Sequence, residues 1–288
     1  MVHIVGAGPG DPELITVKGL RLLKEADVVI YAGSLVNEEI LKICKPEAEI
    51  YNSAQMMLEE ILHVITLAEK EGKTTVRLHT GDPSLYGATQ EQMDAMQARG
   101  IEFDVTPGVS SFLAAAAALK QEYTLPGITQ TVMITRRGGR TPVPDTESLK
   151  KLAQHQTTLC IFLSVGLLPE IKQDLMSAGF KSSTPVAVVY KASWPGEEKI
   201  IRGRLDTIVQ QVKDANIDRT AMIVIGHCLN SENRQKSKLY SPTFSHMFRQ
   251  ARFYSENGDY FIDGERCPPC RKNFLEGRRA DFFQGKRF

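Results

Sequence analysis

Three features of the sequence predict an α/β fold built from two domains. Short apolar runs alternate with helical patterns, glycine and proline cluster where the first runs end, and 288 residues exceed the ~250 at which one core usually stops growing. The first domain is expected over 1–119 as a wound, mainly parallel sheet. A break at 120–129, containing Pro126 and Gly127, separates it from a second α/β domain over 130–250.

The elements follow in order. A strand at 2–5 leads to a helix over 16–25, a strand at 28–31, a helix near 36–44 and a strand at 48–51. The helix over 56–71 carries an apolar face of Leu58, Ile61, Leu62 and Ile65, and Gly72 stands at its C-cap. A strand at 75–79, a helix over 88–99, a strand at 102–106 and an alanine-rich helix over 112–118 complete the first domain. The second has strands at 130–135, 158–163, 186–190, 199–202 and 221–225, with helices over 147–154, 168–178 and 205–214. Its adjacent strands predict a mixed sheet.

The first strand runs into Gly6-Ala7-Gly8-Pro9-Gly10-Asp11-Pro12, where glycine permits close backbone approach and proline fixes the chain's course. Ligands of parallel sheets bind beyond the carboxyl ends of the strands, so this turn is a candidate nucleotide site. The spacing departs from G-x-G-x-x-G and puts prolines where a pyrophosphate-binding helix would begin, which argues against a nicotinamide or flavin dinucleotide. The phosphate-loop ending G-K-[ST] is missing as well. A tight turn with no ligand is the alternative.

Two further turns repeat the pattern. Thr80-Gly81-Asp82-Pro83-Ser84-Leu85-Tyr86-Gly87 follows a strand and precedes a helix, and reads either as an Asx-type helix entry or as a ligand loop. Pro107-Gly108-Val109-Ser110-Ser111 opens the alanine-rich helix, whose first N–H groups and hydroxyls are suited to polar ligand groups. In the second domain, Arg136-Arg137-Gly138-Gly139-Arg140 is either a solvated loop or a carboxylate site, because guanidinium pairs with carboxylates bidentately. Lys191 and Trp194 form a last patch, with a core tryptophan beside a surface lysine as the alternative.

The run from Gly6 to Leu20, followed by Ala26-Asp27-Val28-Val29-Ile30-Tyr31, resembles the opening of the tetrapyrrole (corrin/porphyrin) methylases, S-adenosylmethionine-dependent enzymes of corrinoid and sirohaem synthesis. Arg77 to Pro83, Tyr86-Gly87-Ala88 and the Thr141-Pro142-Val143-Pro144 stretch are most similar to the branch that methylates C11 of precorrin-4 or cobalt-precorrin-4 in cobalamin synthesis. The likeness spans about 1–250. It implies S-adenosylmethionine in a cleft between the domains, against Pro9, Thr80, Gly81, Asp82, Leu85, Ser110, Ser111, Leu163, Ser164, Ala192 and Ala221. It implies a tetrapyrrole against Arg136, Arg140, Lys191 and Trp194, S-adenosylhomocysteine as product, and a homodimer.

Enzymes of this family that act on uroporphyrinogen carry an aspartate after the second strand's tyrosine and a lysine after the third. Here those stretches read Tyr31-Ala32-Gly33-Ser34 and Tyr51-Asn52-Ser53-Ala54, which counts against that substrate. No catalytic acid or base is assigned. Methyl transfer from a sulfonium needs positioning more than a dedicated nucleophile. The alternatives are a C17 or C20 precorrin methylase, a diphthine or ribosomal-RNA type, or a corrinoid or nucleotide carrier without turnover.

A net charge of +1 predicts no general attraction to nucleic acid, and no apolar run approaches a membrane span of about 20 residues. Without a secretion signal, a cytoplasmic protein is expected, with Cys44, Cys160 and Cys228 as reduced thiols. Residues 251–288 lack this order and hold Cys267-Pro268-Pro269-Cys270. One C-x-x-C is short of the four ligands of structural zinc, so no metal is expected.

Overall fold

The computed structural model describes residues 1–230, 235–249, 251, 253–254, 260–262 and 265–267, and the chain forms two compact units, Met1–Asn233 and Arg234–Phe288.

The first unit begins with β1 (Val2–Gly6), α1 (Val17–Glu25), β2 (Val28–Tyr31), β3 (Glu49–Asn52), α2 (Leu58–Lys70), β4 (Thr75–His79), α3 (Thr89–Gln97) and β5 (Phe103–Thr106). These strands form one parallel sheet in the order β3-β2-β4-β1-β5. Every residue of β2 and β4 is buried, as a parallel sheet covered on both faces requires. Leu22 and Leu23 of α1 pack against Val5, Val29 and Leu78 on one face, while Ile61, Leu62 and Ile65 of α2 and Met96 of α3 pack against Ile4 and Ile30 on the other. Thr16 starts α1 by accepting from Gly19 N at 3.1 Å. The helix expected near 36–44 is instead a 3-10 helix, Glu38–Ile43, in which Ile40 alone is buried. Its turns close through the tighter three-residue spacing, Ile40 N donating to Asn37 O at 3.2 Å and Cys44 N to Leu41 O at 3.1 Å, and Leu41 and Ile43 pack partly buried against the same core.

The chain continues through α4 (Ser111–Leu119), β6 (Val132–Arg136), α5 (Leu149–Leu152), β7 (Thr158–Phe162), α6 (Leu168–Ser177), β8 (Pro185–Tyr190), β9 (Lys199–Arg204), α7 (Ile208–Asp214) and β10 (Ala221–Ile225). The second sheet has the order β6-β7-β10-β8-β9; β6 and β7 are parallel and the other pairs antiparallel, giving the expected mixed sheet. Helix α7 starts later than expected because Leu205 still donates its N–H to Thr184 O at 3.0 Å beside the sheet. Helices α6 and α7 bury Ile171, Leu175, Ile208 and Val212 on one face of this sheet.

Helix α4 covers the other face. Ala114, Ala115 and Leu119 meet Ala187, Val189, Met222 and Val224, and the alanines let helix and sheet approach closely. Tyr123 and Leu125, within the 120–129 stretch, are buried in the same core. The Tyr123 hydroxyl donates to Phe112 O at 2.8 Å and its carbonyl accepts from Thr158 Oγ1 at 3.0 Å. The chain leaving β5 therefore docks at once on the second sheet, which joins the two sheets into one unit.

Among the described residues of the second unit are three short antiparallel strands, Phe253–Tyr254, Tyr260–Ile262 and Glu265–Cys267. The expected C-x-x-C falls largely outside the described residues, which include Cys267 only as backbone and omit Cys270. Among the described residues, no cluster of histidine, cysteine and carboxylate side chains is arranged to hold a metal, and no helix is long and apolar enough to cross a membrane.

Candidate functional site

Three turns meet at the carboxyl edge of the parallel sheet. Gly8 and Gly81 exchange backbone hydrogen bonds, with Gly81 N donating to Gly8 O at 2.7 Å and Gly8 N to Gly81 O at 3.3 Å. A Cβ on Gly6 would lie 2.6 Å from Gly108 Cα, and one on Gly108 would lie 2.1 Å from Gly81 O. The glycines therefore admit other backbone turns of the same sheet edge. At Gly10 the close neighbour is the indole of Trp194.

Asp82 fastens this junction. Its Oδ1 accepts from Ser84 N at 2.8 Å and from the Ser84 hydroxyl, and its Oδ2 accepts from Gly108 N at 2.9 Å. Burial acts to raise its pKa, but these hydrogen bonds outweigh it and hold the carboxyl below the usual value of 3.8. Asp82 is thus an anionic brace between the second and third turns. Beneath them, Arg77 donates to Gln92 Oε1 at 2.8 Å and to Ile30 O at 3.1 Å, and burial lowers its pKa to about 10. Burial, with the Arg77 charge beside it, pushes His79 down to about 3 from 6.5, so its ring is neutral near pH 7.

A cavity of ≈ 250 Å³ opens between this edge and the second sheet. Ten of the eleven residues expected against the cofactor line it: Pro9, Thr80, Gly81, Asp82, Leu85, Ser110, Ser111, Leu163, Ala192 and Ala221. Ser164 is not among the lining residues. It is 1% exposed, donates to Phe162 O at 2.6 Å and accepts from Arg137 N at 3.0 Å, so it braces the arginine loop from behind the wall. Ser110 occupies the N-cap of α4 without a side-chain cap bond, leaving hydroxyls and helix N–H groups at the cavity.

The residues expected to meet the substrate separate into two places. Lys191 and Trp194 line the cavity. Arg136 and Arg140 lie on the loop after β6; Arg136 donates to Thr141 O at 3.0 Å and Pro142 O at 2.7 Å, bracing its own loop. Arg137 pairs with Asp174 at 2.7 Å. Arg140 is exposed and makes no hydrogen bond or ion pair among the described residues.

The wall also contains residues that sequence reasoning missed, including Leu35, Tyr86, Phe162, Asp218, Arg219 and Thr220. Tyr86 packs against Phe162 with centroids 5.1 Å apart and the rings tilted by 45°, and Phe112 lies 6.4 Å from Phe162. Tyr86 and Leu163 are 44% and 62% exposed, so their apolar faces lie open at the cavity's mouth. Nine described non-glycine residues have positive φ, and Tyr86 (54°), Leu163 (53°), Lys191 (45°) and Thr220 (50°) all line this cavity. Each such residue costs roughly 1–3 kcal/mol, and strain of this kind collects where function requires it.

The parallel sheet, the mixed sheet and the cavity between them define an α/β protein with a cavity at the carboxyl edge of its parallel sheet. The chain belongs to the Tetrapyrrole (Corrin/Porphyrin) Methylases, whose family model matches residues 1–209. A cobalt-precorrin-4 C(11)-methyltransferase of Methanocaldococcus jannaschii is 54% identical over 250 residues, covering 87% of this chain and 96% of the relative. The X-ray structure of a cobalamin biosynthetic enzyme, cobalt precorrin-4 methyltransferase, superimposes with a TM-score of 0.78 at 47% identity, covering 80% of this chain and 95% of that one. A uroporphyrin-III C-methyl transferase from Thermus thermophilus, complexed with S-adenosyl homocysteine, has a TM-score of 0.67 at 28% identity, with 82% and 96% covered.

Proposed function

We propose that this chain is an S-adenosylmethionine-dependent C-methyltransferase that methylates C11 of cobalt-precorrin-4 or precorrin-4 in cobalamin biosynthesis. The observation that carries the reading is the cavity at the junction of the three turns, walled by the residues that the family pattern selects. Its wall fits the methyl donor. Leu35, Leu85, Val189 and Met222 give an apolar lining for adenine and the thioether chain, while Thr80, Ser110 and Ser111 supply hydroxyls and the start of α4 supplies N–H groups for polar ends. When bound, S-adenosylmethionine supplies an electrophilic methyl group on a sulfonium, and S-adenosylhomocysteine remains after transfer.

The chain's own part is placement and exclusion of water. The exposed faces of Tyr86 and Leu163, with the partly buried Phe162 beside them, offer a macrocycle an apolar surface at the cavity. Burial raises the Tyr86 pKa; the nearby Arg136 charge lowers it and the Glu147 carboxylate raises it, so one cation and one anion adjoin this surface. Arg140 is available to the carboxylate arms, with Arg136 holding the loop that presents it. Lys191 and Trp194 line the same cavity as Tyr86, Phe162 and Leu163. No side chain is assigned as acid or base.

The departure from the uroporphyrinogen pattern at Ala32 and Asn52 has a physical side: Asn52 fills the space over Gly33, where a Cβ would lie 2.1 Å from its Oδ1. The chain is expected to be cytoplasmic and to act as a homodimer, which sedimentation at micromolar concentration tests. Incubation with methyl-labelled S-adenosylmethionine and cobalt-containing or metal-free precorrin-4, side by side, tests the activity. Label in the tetrapyrrole supports the reading and the ratio of rates identifies the preferred form; label in neither refutes it.

A further inference from the structure

The chain's single tryptophan closes over the first glycine-rich turn. The indole Nε1 of Trp194 donates to Pro9 O at 3.1 Å, across 185 residues of sequence. Beside it, Asp11 N donates to Ser193 Oγ at 3.1 Å. From the opposite direction Asn37 Nδ2 donates to Gly10 O at 2.8 Å. Residues 9–11 are therefore clasped between Asn37 and the turn after β8.

The complementarity at Gly10 is steric as well as polar. A Cβ built there would lie 2.0 Å from Trp194 Cδ1 and 2.3 Å from Nε1, so the ring occupies the volume that any other residue would need. The Lys191 ammonium stands 4.4 Å from the indole centroid and is itself paired with Glu197. Lys191 and Ser193 both have positive φ, at 45° and 70°, so the turn bearing the indole is held in a sparsely populated conformation. Pro9 and Trp194 both line the cavity.

We propose that Trp194 is a positioning residue: seated over Gly10 and bonded to the Pro9 carbonyl, it fixes the first turn as a wall of the cavity and so sets its affinity for the methyl donor. This rests on the reading that the cavity holds S-adenosylmethionine. The indole N–H is engaged by Pro9 and one face of the ring by the Lys191 ammonium.

The test uses the full chain, S-adenosylhomocysteine as probe in calorimetry, and indole emission, which reports on Trp194 alone. Gly10→Ala is expected to shift emission to the red and weaken the probe tenfold or more. Trp194→Phe, which keeps a ring but loses the donor, is expected to weaken it several-fold with little change in thermal unfolding. The double variant Gly10→Ala/Trp194→Ala should lose less than the sum of the two single losses, because the clash with the ring is gone and only the strain of alanine at the Gly10 φ of +154° remains. Trp194→Phe remains decisive if Gly10→Ala fails to fold. A wild type that binds the probe with variants equally tight, or additive losses in the double variant, would overturn the positioning role and leave the cofactor reading intact. A wild type that fails to bind the probe would overturn both.

Discussion

Gly108 donates its backbone N–H to Oδ2 of Asp82 at 2.9 Å, tying the turn after β5 to the turn after β4. Asp82→Ala removes this bond and those to Ser84, leaving the part-buried Gly108 N–H unpaired while the exposed Ser84 donors turn to water. The expected cost is about 2–3 kcal/mol of stability with a loss of affinity for S-adenosylhomocysteine, and Asp82→Asn should recover part of both. Urea unfolding and calorimetry on the two variants check this. Because the Asp82 pKa is depressed, its contribution is present above pH 3.8 and is lost as pH falls through the folded value.

His79 gives the fold a pH dependence at higher pH. In the unfolded chain its ring takes a proton at 6.5, but in the folded chain not until about 3. Its neutral form is therefore fully compatible with folding above pH 6.5, and stability is lost as pH falls from there towards 3, at about 1.4 kcal/mol per pH unit. Between roughly pH 7.5 and 5 the loss should be about 2 kcal/mol, and His79→Phe should remove most of it. Urea midpoints of both proteins at the two pH values measure the difference; equal slopes would show that the ring is protonated in the fold.

The glycine junction predicts unequal substitutions. Gly108→Ala places a Cβ 2.1 Å from Gly81 O, a backbone atom that cannot step aside, and should cost about 3 kcal/mol or more. Gly72→Ala meets nothing within 4 Å and bears only the strain of its φ of +67°, about 1–2 kcal/mol. Thermal unfolding of the pair checks the order.

Arg140→Ala removes a guanidinium that holds no other part of the described protein. Stability and S-adenosylhomocysteine affinity should not move, while KM for the tetrapyrrole should rise tenfold or more, as loss of a charge-assisted hydrogen bond of about 1.5–3 kcal/mol implies. Arg136→Ala should raise KM as well, but by freeing the loop that Arg136 ties to Thr141 and Pro142.

Much of this architecture was legible in the sequence because its strands are short apolar runs ending in glycine. The predicted ranges for β2, β4 and β10 coincide with the observed ones: β2 and β10 are unbroken runs of apolar and aromatic residues, while β4, Thr-Val-Arg-Leu-His, is bounded by Gly72 before it and the Thr80-Gly81 turn after it. The cavity wall was legible only where it carries a motif. Pro9, Gly81 and Ser110 stand in such motifs, whereas Phe162, Arg219 and Thr220 reach the cavity through positions on the second sheet and its turns that no local pattern marks. The packing of α4 on the second sheet was hidden too, because an alanine run shows close approach without showing what approaches. The glycines of the first turn were read as room for a ligand; at Gly6 and Gly10 the room is taken by Gly108, Gly81 and Trp194, far away in sequence, and at Gly8 by the nearby Leu14 backbone.

The most direct test of the account is the position of the new methyl group. Cobalt-precorrin-4 incubated with the full chain and ¹³C-methyl S-adenosylmethionine should give one labelled product, with the label at C11 by NMR and one equivalent of S-adenosylhomocysteine released. Label at another ring carbon, or tetrapyrrole binding without release of S-adenosylhomocysteine, would contradict it.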